Sequence, residues 1–200
     1  LLKGVLPAVD GVKPVPRSGC GSRLIYIVGG VDVGSVRLST VDMYDPQNAS
    51  WKQLASMMGP RSSHSCIALD GKLYVVGGLG AARQNLDTAE VYDPPTDGWR
   101  PLAKMRTGRY TFGLVAAGGK VYAIGGSTGS STLDSVEAYD PHLDSWALVA
   151  SMSVKRKGHA SVALDGKIYA MGGMGNAEVS FDTVEVYDPQ ADSWQRVASM

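Results

Sequence analysis

The chain has 200 residues, with 19 Lys and Arg set against 19 Asp and Glu for a formal net charge of zero, and 44% of the residues are hydrophobic. That balance removes the overall basic charge expected of a nucleic-acid binder, and no uninterrupted run of about 18 apolar residues exists to cross a membrane. The 25 glycines exceed average usage, while the two cysteines, Cys20 and Cys66, are too few for a disulfide framework and suit a reducing, cytoplasmic compartment.

In chain order, residues 1–23 read as a leader, because Lys13-Pro14-Val15-Pro16-Arg17-Ser18-Gly19-Cys20-Gly21 has the composition of a linker. A rival is that Val5–Gly11 folds back as a strand, against which stand Pro7 and the long spacing to Gly29. From Leu24 the chain is periodic. LIYIVGG from Leu24 is followed by STVDMYDP from Ser39, SWKQLASM from Ser50 and RSSHSCIALDG from Arg61. The same four segments return as KLYVVGG from Lys72, DTAEVYDP from Asp87, GWRPLAKM from Gly98 and RYTFGLVAAGG from Arg109. They return again as KVYAIGG from Lys120, DSVEAYDP from Asp134, SWALVASM from Ser145 and RKGHASVALDG from Arg156. KIYAMGG from Lys167, DTVEVYDP from Asp182 and SWQRVASM from Ser193 complete the series. Each landmark steps by 47 or 48, as in Tyr44, Tyr92, Tyr139 and Tyr187, which divides the chain into four units at about 24–71, 72–119, 120–166 and 167–200. A fixed period of this size is the mark of one supersecondary unit copied along a chain.

Each segment is short, rich in Val, Ile, Tyr and Trp, and bounded by Gly, Pro, Asp or Ser, so each reads as a strand. Counting each blade from its Arg-led strand, with the Gly-Gly strand second, the Tyr-Asp-Pro strand third and the Trp strand fourth, Asp70-Gly71, Gly118-Gly119 and Asp165-Gly166 supply tight hairpins between the first and second strands. The Pro after Tyr-Asp ends each third strand, because it has no N–H for the ladder. Four antiparallel strands make one small sheet that cannot bury both faces alone. Radial stacking solves this, and a propeller is favoured over a linear stack. Copy one is expected to lack its innermost strand. Elsewhere an Arg precedes Gly-Gly by 16 residues (61 to 77, 109 to 125, 156 to 172), whereas upstream of Gly29, Arg23 apart, the nearest is Arg17.

The Gly-Gly, Tyr-Asp-Pro, Trp and Arg pattern over residues 24–200 resembles the kelch repeat. The spacing and the Gly-Lys-Leu/Ile-Tyr lead into Gly-Gly are most similar to the propellers of BTB-kelch adaptors of cullin ubiquitin ligases. The resemblance implies an all-β propeller segment within a larger ring, with about two further blades as in six-bladed relatives. It implies a protein or peptide ligand, and a cullin ligase reached through domains outside residues 1–200. An actin-associated or other structural kelch scaffold is the alternative, and a kelch-fold enzyme a third reading. An open arc is expected to expose apolar blade faces.

Residues that recur in every copy are expected to hold the scaffold, and function is expected where the copies differ. Asp42, Glu90, Glu137 and Glu185 recur inside third strands, where a charge needs a partner, and Arg61, Arg109 and Arg156 are expected to pair with them as bidentate links. His64 and His159 occupy equivalent positions, with Phe112 between them. Two histidines without neighbouring ligands do not make a metal site, and His142 reads as an exposed turn residue. No nucleophile with its base, phosphate loop or zinc set is recognisable, so no catalytic residue, metal or cofactor is assigned.

Up-and-down strands put the loops 31–38, 58–63, 79–86, 106–111, 127–133, 153–158 and 174–181 on one face. They hold Arg37, Arg61, Arg83, Arg106, Arg109, Lys155, Arg156 and Lys157 against Asp32 and Glu178. The opposite turns carry Asp45, Asp70, Asp93, Asp97, Asp140, Asp144, Asp165, Asp188 and Asp192 against Lys72, Lys120 and Lys167. The basic face is also the variable one, where recognition is expected. In the adaptors this face receives the substrate peptide. By that resemblance the positions here are Val31, Ser62, Ser63, Leu79, Tyr110, Thr111, Ser127, Lys157, Gly158 and Met174, to which Arg37 and Arg83 add charge. An acidic ligand is the expected match. Val31, Leu79 and Met174 stand where some relatives place Arg or Asn, and the plain alternative is that these loops are unselected solvated turns.

Overall fold

A computed structural model describes residues 24–177 and 179–200. The leader, its fold-back rival, Cys20 and Glu178 lie outside the described residues. The described chain forms four antiparallel sheets, called blades here. Blade 1 has β1 (Ile25–Val31), β2 (Arg37–Asp45) and β3 (Ser50–Leu54), and so has three strands among the described residues. Blade 2 has β4 (Ser65–Leu69), β5 (Lys72–Val76), β6 (Ala89–Asp93) and β7 (Gly98–Pro101). Blade 3 has β8 (Gly113–Ala117), β9 (Lys120–Ile124), β10 (Val136–Asp140) and β11 (Ser145–Val149). Blade 4 has β12 (Ala160–Leu164), β13 (Lys167–Met171), β14 (Val184–Asp188) and β15 (Ser193–Val197).

The turn chemistry is as the sequence predicts. Asp70 and Gly71 have φ of 49° and 73°, and Gly118, Gly119, Asp165 and Gly166 are also left-handed, which matches the twist of a two-residue hairpin. β6, β10 and β14 stop at the Asp before Pro. Blade 1 departs from the plan. β1 runs through Gly29-Gly30 with a bulge and pairs Val31 with Arg37, so part of the expected loop 31–38 is ladder. Asp32 causes this, its Oδ1 accepting N–H bonds from Gly34 at 2.9 Å and Val36 at 2.8 Å to close a tight turn.

The blades stack face to face, with the inner strands β4, β8 and β12 side by side. Alternation along β5 sends Leu73 and Val75 toward blade 1 and Tyr74 and Val76 toward blade 3, so that both faces are buried. Val115, Tyr122, Ile124 and Met152 repeat the arrangement against Ile168, Ala170 and Tyr187 of blade 4. The positions that inner blades bury are exposed on the outward faces of blades 1 and 4, at Ile25, Ile27, Val162 and Leu164.

A polar staple joins each pair of blades at the turn end. Trp99 Nε1 donates to the Ala55 carbonyl at 2.8 Å, while Asp97 Oδ1 accepts from the Tyr92 hydroxyl at 2.8 Å and from the Ala55 N–H at 3.0 Å. Trp146, Tyr139 and Asp144 hold Ala103 in the same way, and Trp194, Tyr187 and Asp192 hold Ala150. The recurrent Tyr and Trp of blades 2–4 are thus explained by one arrangement, an edge-of-blade anchor with its polar atoms satisfied.

Candidate functional site: the loop face

Beneath the loop face lie the recurrent arginines. Arg109 is fully buried, and its Nη2 meets Glu137 Oε1 at 2.6 Å while its Nη1 donates to the carbonyls of Gly125 at 3.0 Å and Ser135 at 2.9 Å. Arg156 makes the same set with Glu185, Gly172 and Thr183, and Arg61 with Glu90, Gly77 and Thr88. Each pair lies within one blade and joins one guanidinium nitrogen to one carboxylate oxygen, which corrects the bidentate expectation. The reason is that Nη1 is taken by two carbonyls. The second carboxylate oxygen accepts a loop N–H instead, from Met58 at 2.7 Å, Arg106 at 2.6 Å or Ser153 at 2.6 Å. The ion pair therefore pins the incoming loop to the sheet below it. Asp42 has no Arg partner among the described residues.

Above this layer the loops pair with one another. Ser62 exchanges two backbone hydrogen bonds with Leu79 at 3.0 and 2.8 Å, Tyr110 does so with Ser127 at 3.0 and 2.9 Å, and Lys157 with Met174 at 3.0 Å both ways. Neighbouring blades are then joined around the centre. Thr111 N–H donates to the Ser63 carbonyl at 3.1 Å, and Gly158 N–H to the Thr111 carbonyl at 2.8 Å. Ser63, Thr111 and Gly158 have φ of 51°, 50° and 61°, so all three share the left-handed conformation that this connection requires. Gly158 alone signals this in the sequence, because Ser and Thr do not advertise positive φ.

The structure thus brings nine of the twelve candidate positions into one bridged cluster. Their side chains divide. Ser62 and Ser127 are buried, and their hydroxyls accept from Arg37 Nε at 3.0 Å and Gly129 N–H at 3.0 Å, so they shape loops. Leu79, Tyr110, Lys157 and Met174 are half-buried, and Ser63, Thr111 and Gly158 are exposed. Val31 is exposed at the end of β1 and Arg83 on the loop 79–86, both outside the bridges, and Arg37, paired with Val31 at the start of β2, reaches the cluster through Ser62. Two residues that sequence reasoning missed tie loops sideways. Asn85 Nδ2 donates to the Thr128 carbonyl, and Asn176 Oδ1 accepts from Thr132 N–H at 2.7 Å. They sit at different offsets after Gly-Gly, so no alignment of copies reveals them.

His64 and His159 lie just ahead of the inner strands β4 and β12, packed on glycines. A Cβ on Gly29 would come within 3.1 Å of His64 Cε1, and one on Gly113 within 2.9 Å of His159 Nε2. Burial and then the nearby Arg61 charge push His64 down to about 4, and burial and Arg156 do the same for His159. Both are neutral near pH 7. Among the described residues no three His, Cys, Asp or Glu cluster to hold a metal ion, and no helix is long and apolar enough to cross a membrane.

A family model described as the KLHDC2/KLHL20/DRC7 Kelch-repeats domain matches residues 25–200. The chain belongs to this kelch-repeat family. The four blades are a segment of a kelch β-propeller, and a kelch domain of this kind fits a protein-interaction propeller. Comparison with curated proteins returned no match.

Proposed function

We propose that the loop face binds an acidic peptide segment of a partner protein, and that the chain serves as the substrate-recognition propeller of a cytoplasmic BTB-kelch type ubiquitin-ligase adaptor, without catalysis of its own. One observation carries the reading. With the three recurrent arginines neutralised below, the segments 31–38, 58–63, 79–86, 106–111, 127–133, 153–158 and 174–181 keep Arg37, Arg83, Arg106, Lys155 and Lys157 against Asp32 among the described residues, while Asp87, Asp134 and Asp182 stand at the feet of the loops, Asp87 paired with Lys104. Individually such charges contribute little, but their summed field steers an acidic partner to a surface whose shape is already fixed by backbone bonds. Hydrogen bonds to backbone and neighbouring loops keep that surface from collapsing when the partner is absent.

The test compares capture from a lysate by wild type and by Arg83→Glu/Lys157→Glu, followed by identification of the captured protein and binding of its purified form. Loss of binding by a folded variant supports the loop face, and equal binding moves the site elsewhere. A cullin in the complex formed by the full-length gene product supports the adaptor role. Co-sedimentation with actin filaments, without a cullin, would favour the structural scaffold.

A further inference from the structure

Blade 2 has a cleft of about 340 Å³ that opens between residues 58–61 and the loop 79–86 and runs outward over the end of β7, away from the bridged cluster. Met58, Pro60, Ala81, Leu86 and Leu102 give it apolar walls. Arg61 and Glu90 line it as well, and Arg61 Nε is a buried donor with no acceptor among the described residues. In blade 3 the equivalent nitrogen of Arg109 reaches the Thr107 carbonyl at 3.5 Å, and in blade 4 Arg156 Nε also lacks an acceptor among the described residues but lies beside the ring of Phe181. Blade 4 shows how the same space is covered. Phe181 stands there in place of Leu86, its ring centroid 5.6 Å from Arg156 Cζ and its edge 3.0 Å from where a Cβ on Gly175 would sit.

Blade 2 therefore combines an open apolar trough, an unmet buried donor and a positive mouth. Arg61 neutralises Glu90, Lys104 at the cleft lies 3.7 Å from Asp87, and Arg83, between the lining residues Ala81 and Gln84 in sequence, has no acid partner among the described residues, which leaves one cation in excess. We infer that this cleft anchors an aliphatic side chain, Leu or Met, of an acidic peptide from the partner protein, with a peptide carbonyl accepting from Arg61 Nε. The volume suits one such side chain with its backbone. This rests on the protein-binding reading above and places the anchor over one blade instead of at the central cluster.

The probes are short fluorescein-labelled peptides with Asp and Glu flanks and a central Leu, Met, Ser or Lys, added to the 200-residue chain labelled with ¹³C at its methionine methyl groups. Met58 lines the cleft and Met174 the central cluster, so the two methyl resonances report the two places separately. The expected result is that the Leu and Met peptides bind and shift Met58 but not Met174, and that the Ser and Lys peptides bind at least about tenfold more weakly. Leu86→Phe, which copies the solution of blade 4, should weaken the Leu peptide by a similar factor without lowering the unfolding temperature. Binding that shifts Met174 alone and is unaffected by Leu86→Phe overturns the cleft and leaves the loop-face reading standing. Absence of binding by every peptide of the series also overturns the cleft, while the charge-reversal capture experiment decides the wider reading on its own.

Discussion

The two ends of the blades obey different rules. At the turn end the same chemistry is built three times, with Tyr92, Tyr139 and Tyr187 on Asp97, Asp144 and Asp192, and with Lys72, Lys120 and Lys167 within 3.4 Å of Asp93, Asp140 and Asp188. The aspartates that make this face acidic are largely committed to holding it together. At the loop end the Gly-Gly pairs and the buried arginines with their acids recur, and the exposed residues differ from copy to copy. Scaffold chemistry and variable chemistry are thus separated in space, so that a loop can change its side chains while the ion pair below holds its backbone.

Breaking the shared layer should have the largest effect. Arg109→Met leaves Glu137 buried without a cation and should cost about 3–5 kcal/mol in denaturant unfolding. Adding Glu137→Leu should restore much of that loss, since two apolar groups need no pairing. At the turn end, Asp144→Ala removes the acceptor for both Tyr139 and the Ala103 N–H and should cost about 1–3 kcal/mol. Blade 1 has Ala49 at that place, with φ of 47°, so the backbone tolerates the change.

Acid sharpens the comparison next. A histidine whose folded pKa is depressed binds a proton more readily when unfolded, so its contribution is complete above the ordinary value of 6.5 and is lost as pH falls toward 4. Stability should fall by about 1–3 kcal/mol over that window, and His64→Phe, which copies Phe112 of the next blade, should flatten part of the decline in thermal melts at stepped pH. The carboxyls of Asp97, Asp144 and Asp192, held below 3.8 first by an Ala N–H and then by a Tyr hydroxyl, add a further loss at still lower pH. The smallest stability effect belongs to the loop surface. Arg83→Glu and Lys157→Glu should shift unfolding by no more than about 0.5 kcal/mol while changing partner binding and its salt dependence.

What the sequence discloses follows from what repeats. Strand identity, the hairpin turns and the partnership of Arg with Glu were legible because each is copied at a fixed offset. The backbone pairing of Ser62 with Leu79, Tyr110 with Ser127 and Lys157 with Met174 falls among the loop positions that the kelch resemblance singled out, and the pairing itself was not read from the sequence. The left-handed Ser63 and Thr111, the lateral Asn85 and Asn176, and the extension of β1 by Asp32 were not legible. Each depends on a side chain found once, or on a conformation that its residue type does not signal. The cleft of blade 2 was hidden as well, because Leu38, Leu86 and Leu133 share the position that Phe181 fills in blade 4, and the sequence does not mark blade 2 among the three.

The most direct test of this division of labour is the affinity of the purified partner for two charge-reversal variants, Arg83→Glu/Lys157→Glu on the loop face and Lys72→Glu/Lys120→Glu on the turn face, measured by titration calorimetry with unfolding temperatures in parallel. The account predicts that the loop-face variant loses binding with its unfolding temperature intact, while the turn-face variant binds as wild type does. Binding retained by the first and lost by a folded second would contradict it.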